Sequence, residues 1–110
     1  MVKYSLEKIP NQILSITEGS HTYVIRFRTF NGILYADMTI DGTSVAKSVR
    51  CVPYGFIIPY PHMEVAGNFL MTSAENSYPS YKDFGETCNL YYLTADEVAW
   101  VRLKAKEASD

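Results

Sequence analysis

The sequence predicts a mainly β fold with a minor α component: an antiparallel β-meander forming a small, partly closed barrel or roll, with one C-terminal helix. Three observations predict it. Asn31-Gly32 and Asp41-Gly42 are dipeptides that accept the paired positive φ angles of a type I′ turn, the strongest short-range hairpin signal. The runs between these turns alternate apolar and polar residues with period two. Near the C-terminus, Thr94-Ala95-Asp96-Glu97 has the spacing of a capping box and announces a helix.

A third break at Glu18-Gly19-Ser20-His21 completes the punctuation, leaving four runs: Gln12 to Thr17, Thr22 to Phe30, Ile33 to Ile40 and Thr43 to Cys51. Two-residue loops at Asn31-Gly32 and Asp41-Gly42 set Arg26 opposite Asp37, Arg28 opposite Tyr35, Met38 opposite Val45 and Leu34 opposite Val49. The first loop sets Ile16 opposite Tyr23 and Leu14 opposite Ile25. One face then collects Leu14, Ile16, Tyr23, Ile25, Phe27, Leu34, Ala36, Met38, Ile40, Val45, Val49 and Cys51. A one-residue slip in any strand would destroy that agreement. Lys47 is the misfit on this face, and either snorkels or marks the strand's end.

The opposite face carries Arg26, Arg28, Phe30, Tyr35 and Arg50. Arg26 is expected to pair with Asp37, and Arg28 to stack on Tyr35. From 52 to 66 the chain becomes an irregular connector rich in aromatics, in which Pro53, Pro59 and Pro61 cannot donate to a central ladder. Further strands are expected near 68–72 and 89–93, separated by a long polar loop from Ser73 to Gly85 with buried rings at Tyr78, Tyr81 and Phe84. The helix is expected over 95–106, with Val98, Val101 and Ala105 as its core stripe. Trp100 projects roughly 140° away from that stripe at 100° per residue. It either meets a partner or lies flat over the domain's own edge.

At 110 residues the chain has the length of one domain, 1–110. Ten Lys and Arg against twelve Asp and Glu leave a net charge of −2, which supplies neither a broad basic field nor a polybasic membrane patch. No apolar run approaches the ~20 residues a bilayer requires. The opening MVKYSLEKIPNQ lacks an apolar signal core, so an intracellular product is expected. Cys51 and Cys88, far apart and without a Cys-x-x-Cys spacing, read as packed thiols rather than a disulfide.

No catalytic, cofactor or metal site is expected. His21 falls in a turn and His62 in the connector, and with Cys51 and Cys88 they form no local ligand pair at zinc spacing. The glycines serve turns and irregular stretches, and none builds a phosphate cradle. The candidate site is therefore an interaction surface: Arg26, Arg28, Phe30, Tyr35 and Arg50 on the sheet, and Trp100 on the helix. Arginines interleaved with rings also suit a small β-domain that binds single-stranded nucleic acid. The acidic balance and Asp37 within the patch weigh against that alternative.

The stretches RTFNGILYADMTIDG (28–42), VRCVPYGFIIPYPHMEVAGNFLM (49–71) and YPSYKDFGETCNLYYLTADEV (78–98) resemble a family of small phage and prophage proteins typified by a cyanophage baseplate plug. IPNQILSIT (9–17) resembles that family's N-terminal strand. The shared elements are turn and aromatic motifs, with no catalytic motif among them and no functional residues to carry over. Ala66 before Gly67 departs from a paired glycine expected there. The resemblance implies a structural subunit of a contractile tail baseplate, without catalysis or cofactor, contacting tail hub proteins as a possible trimer or hexamer. It further implies assembly in the host bacterial cytoplasm and residence in the virion or a phage-tail-like particle.

Overall fold

A computed structural model describes residues 1–75 and 77–109. The meander is β2 (Gln12–Glu18), β3 (His21–Phe30), β4 (Ile33–Ile40) and β5 (Thr43–Arg50), paired in that order as one antiparallel sheet. Asn31 (φ 51°) with Gly32 (75°), and Asp41 (51°) with Gly42 (86°), hold the left-handed pairs of tight hairpins. Arg26 faces Asp37, Arg28 faces Tyr35 and Ile16 faces Tyr23, as the turn spacing requires. The first loop is tighter than its four-residue signal, because Glu18 and His21 themselves pair.

The register of β5 departs from expectation, and the departure explains Lys47. Met38 faces Ala46 rather than Val45, and Ala36, not Leu34, faces Val49, with two irregularities between Ala36 and Thr39. Each extra residue reverses the side on which later side chains fall, and two restore it. Val45 and Ala46 are both buried, Lys47 and Ser48 both exposed, and Cys51 is buried again. Lys47 therefore neither snorkels nor ends the strand. The bulge turns it to solvent, and Ser48 takes the left-handed φ of 51° that the second bulge requires.

The second sheet has the order β1 (Val2–Tyr4), β8 (Leu90–Thr94), β7 (Gly67–Met71), β6 (Gly55–Phe56), again antiparallel. β1 and β6 carry no sequence signal of their own; β1 precedes the first turn marker, and β6 lies between prolines of the connector. The mainly β fold with one C-terminal helix is as expected, and the partly closed barrel or roll fits only loosely: among the described residues no ladder joins the two sheets, which pack face to face as open sheets. Twist and edge pairing would have had to carry β2 or β5 onto the second sheet, and that sheet pairs instead with the N-terminal β1 and the connector.

Rings fill the gap between the sheets. Tyr23 of the first sheet meets Phe69 edge-on at 5.2 Å and Tyr92 at 5.7 Å, while Phe69 and Tyr92 lie 5.2 Å apart. Such tilted pairs contribute about 0.5–1.5 kcal/mol each beyond area burial. Phe27 meets Phe84 of the 73–85 loop at 6.1 Å. Phe84 is buried and Tyr81 half-buried, but Tyr78 is exposed, contrary to expectation. A side chain at Gly67 would reach within 2.2 Å of the Leu93 carbonyl oxygen, so β7 and β8 approach closely only with glycine there.

Helix α1 (Ala95–Ser109) covers the outer side of the second sheet. Its capping box forms: the Thr94 amide donates to Glu97 Oε1 at 3.0 Å, and the Glu97 amide to Thr94 Oγ1 at 3.4 Å. Val98 is buried with Leu70 and Leu93, and Val101 packs beside them. Ala105 is exposed rather than part of the stripe, because the sheet beneath ends before the helix does.

Candidate interaction face

The structure divides the six candidate residues between opposite sides of the molecule. Arg26, Arg28, Tyr35 and Arg50 share the outer face of the meander, and Arg28, Tyr35 and Arg50 stand in one cross-strand row. Phe30 projects from the β3–β4 hairpin tip, 68% exposed. Trp100 sits on α1, beyond the second sheet, and belongs to a separate surface.

On the meander face the charges are organised around Asp37. The expected Arg26–Asp37 pair does not form although the two face each other. Instead Arg28 Nε donates to Asp37 Oδ2 at 2.9 Å and its Nη2 to Oδ1 at 3.3 Å. The Ser48 amide donates to Asp37 Oδ1 at 2.6 Å, and Arg28 Nη2 also reaches Ser48 Oγ at 2.9 Å. The bulge in β5 aims that amide at the carboxylate, and the diagonal arginine completes the site. Burial alone would raise the Asp37 carboxyl, yet the Ser48 amide and the Arg28 guanidinium together hold it below its ordinary range. Arg28 thus spends its donors on Asp37 and Ser48 rather than stacking on Tyr35.

Arg50 places its guanidinium 4.2 Å from the centre of the Tyr78 ring. This cation–π contact lays the 73–85 loop against the edge of the face. Arg26 makes no ion pair among the described residues. It stands beside exposed Ile13 and Val24, on a shallow trough of about 590 Å³ that also runs past Thr39, Ser44 and Lys47. The face therefore combines a locked charge cluster with one available arginine and an apolar margin at β2.

Trp100 is 59% exposed, with Lys104 Nζ 5.6 Å from its ring centre. Beneath it a cleft of about 260 Å³ is lined by Met1, Leu93, Glu97 and Val101. The N-terminal ammonium pairs with Glu97 and closes one side. Sequence reasoning missed a third aromatic surface, in the connector: Tyr54 and Tyr60 are 64% and 58% exposed, and Tyr60 stacks on His62 at 5.8 Å. Tyr54 adopts φ 56°, a left-handed conformation that a tyrosine does not advertise in sequence.

His21 pairs with Asp41 at 2.7 Å, and the Thr22 amide donates to the same carboxylate at 2.8 Å. The histidine thereby ties two hairpin ends together. Cys51 and Cys88 are free, buried thiols. Burial pushes Cys51 up to about 12 and Cys88 up to about 11. Among the described residues no group of three or more His, Cys, Asp or Glu side chains is placed to hold a metal ion. No helix among them is long and apolar enough to cross a membrane.

Residues 1–96 match the model of the family described as cyanophage baseplate Pam3 plug gp18. The match takes in both sheets and ends at the start of α1, so Trp100 lies beyond it. No curated protein matches the chain.

Proposed function

Because the chain belongs to the cyanophage baseplate plug family, we propose that it is a structural subunit at the distal end of a contractile phage or prophage tail. It acts there through protein–protein contacts with tail hub proteins, as one copy of a three-fold or six-fold set, and performs no catalysis. It assembles in the host bacterial cytoplasm and remains in the virion or tail-like particle. The observation that carries this reading is the family match across residues 1–96.

Several features support the contact role. The chain exposes aromatic and apolar side chains at Phe30, Tyr54, Tyr60 and Trp100, residue types enriched in the buried centres of interfaces. The nucleic-acid alternative draws less support from the meander face. Arg28 is paired with Asp37, and a chain of net charge −2 offers no broad positive field to a phosphate backbone.

The test is to purify tail particles from cells that carry the gene and look for the chain by mass spectrometry and by antibody labelling in electron micrographs. Label at the distal end of the tail is expected. A chain that is expressed but absent from intact particles would refute the reading. A mobility shift with single-stranded oligonucleotide that weakens steeply with salt would favour the alternative instead.

A further inference from the structure

The meander sheet has two free edges of opposite construction. β5 is blunted: its two bulges break the regular spacing of peptide groups, Lys47 is turned outward, and Ser48 is left-handed. β2, the sequence QILSITE, has no bulge, no proline and no lysine over seven residues. The edges of the other sheet, β1 and β6, run only three and two residues.

The hairpin fixes which peptide groups of β2 are free. Its two-residue loop makes Glu18 and His21 a hydrogen-bonded pair, and such pairs alternate along an antiparallel ladder. Ile16 with Tyr23, Leu14 with Ile25 and Gln12 with Phe27 are therefore the bonded pairs. Ile13, Ser15 and Thr17 turn their N–H and C=O groups away from β3, toward the open side. All three residues are exposed, and none makes a further backbone hydrogen bond among the described residues. Beside them Ile13 is 66% exposed on the outer face, and Leu14 is half-buried on the inner face although it belongs to the core side.

We propose that β2 receives an extended segment of a neighbouring baseplate subunit as a fifth strand of the meander sheet. The proposal rests on the baseplate reading above and names the contact it uses. The incoming segment spans about five residues. It sets apolar side chains against Leu14 and Ile16 within, an apolar one beside Ile13 without, and small ones beside Ser15 and Thr17. A second copy of this chain is the poorer donor. Its β5 edge is blunted, and a two-fold pairing of β2 with β2 has no place on the polar axis of a tail.

Amide hydrogen exchange on the free protein and on purified particles tests this, with a pair of variants beside it. In the free chain the Ile13, Ser15 and Thr17 amides exchange fast while those of Leu14 and Ile16 are protected. In the particle the three slow by about 100-fold or more. Ser15→Pro removes an outward N–H without touching the β2–β3 ladder, so its incorporation into particles falls about tenfold while Ser15→Ala incorporates normally. If Ser15→Pro proves too unstable to fold, the exchange comparison alone decides. Unprotected amides in the particle, or equal incorporation of both variants, would overturn the strand contact while leaving the baseplate assignment intact. So would a free-chain dimer that Ser15→Cys cross-links, since the occupant would then be a second copy. Absence of the unmodified chain from particles sinks the baseplate reading, and this one with it.

Discussion

Replacing Asn68 with leucine should destabilise the fold more than any surface change, through the backbone it serves. Asn68 is fully buried in β7. Its Oδ1 accepts from the Ile58 amide at 3.0 Å and from the Phe69 amide at 2.7 Å, and its Nδ2 donates to the Ile58 carbonyl at 3.0 Å. Nδ2 also donates to Glu64, whose carboxylate is held by Arg102 of α1 in a bidentate pair at 2.9 and 2.7 Å. One side chain thus anchors the irregular connector to a strand and, through Glu64, to the helix. In Asn68→Leu the N–H and C=O of buried Ile58 and the N–H of buried Phe69 lose their partners where water does not reach. Each orphaned group costs about 1–3 kcal/mol, so the loss should be about 3–9 kcal/mol. That is a large part of the ~5–15 kcal/mol typical of a whole domain. Urea denaturation followed by tryptophan fluorescence measures it. Asn68→Asp separates the roles, since it keeps the acceptor but loses the donor and sets a second carboxylate beside Glu64. It should be least stable near neutral pH and recover partly in acid. A loss below ~1 kcal/mol for the leucine variant would refute the claim that Asn68 carries the connector.

Three further outcomes follow from geometry already described. The Asp37 carboxyl is held below its ordinary range, so its contribution is fully present above about pH 4 and is lost as pH falls through the folded value. Asp37→Asn should therefore cost about 0.2–1 kcal/mol at pH 7 and flatten the acid limb of the stability curve, read as Tm against pH. Tyr54 occupies the third position of a Val52–Gly55 turn, with Pro53 before it and φ at 56°. Tyr54→Asn should relieve that strain and raise stability by up to about 1 kcal/mol, measured as the urea midpoint. Cys51 and Cys88 should resist iodoacetamide at pH 8 in the native state and react fully in urea, as counted by mass spectrometry; rapid native labelling would contradict their burial.

The meander was legible because its signals are local. Asn31-Gly32 and Asp41-Gly42 fix both turn type and register, and alternation does the rest until β5. There the bulges escape notice because nothing in Ala46-Lys47-Ser48 marks them except that a lysine falls on the core face. β1 and β6 were illegible for a different reason: each is too short to show a period and is defined by its partner, β8 or β7. The same holds for the charge cluster. The turn spacing puts Arg26, Arg28 and Asp37 on one face, but which arginine takes the carboxylate depends on the Ser48 amide that the bulge delivers. The separation of Trp100 from the arginine face depends on the layer between them, which no spacing in the helix encodes.

The paired bulges of β5 also bear on how this strand can change length over generations. A single deletion among residues 46–48 would leave an odd offset and point Val49 and Cys51 to solvent and Arg50 into the core. Loss of Lys47 and Ser48 together would keep every later residue on its present side, at the expense of the Asp37 site and the blunted edge. Relatives of this chain should therefore differ here by two residues or by none, and the shorter form should present a second strand edge as smooth as β2.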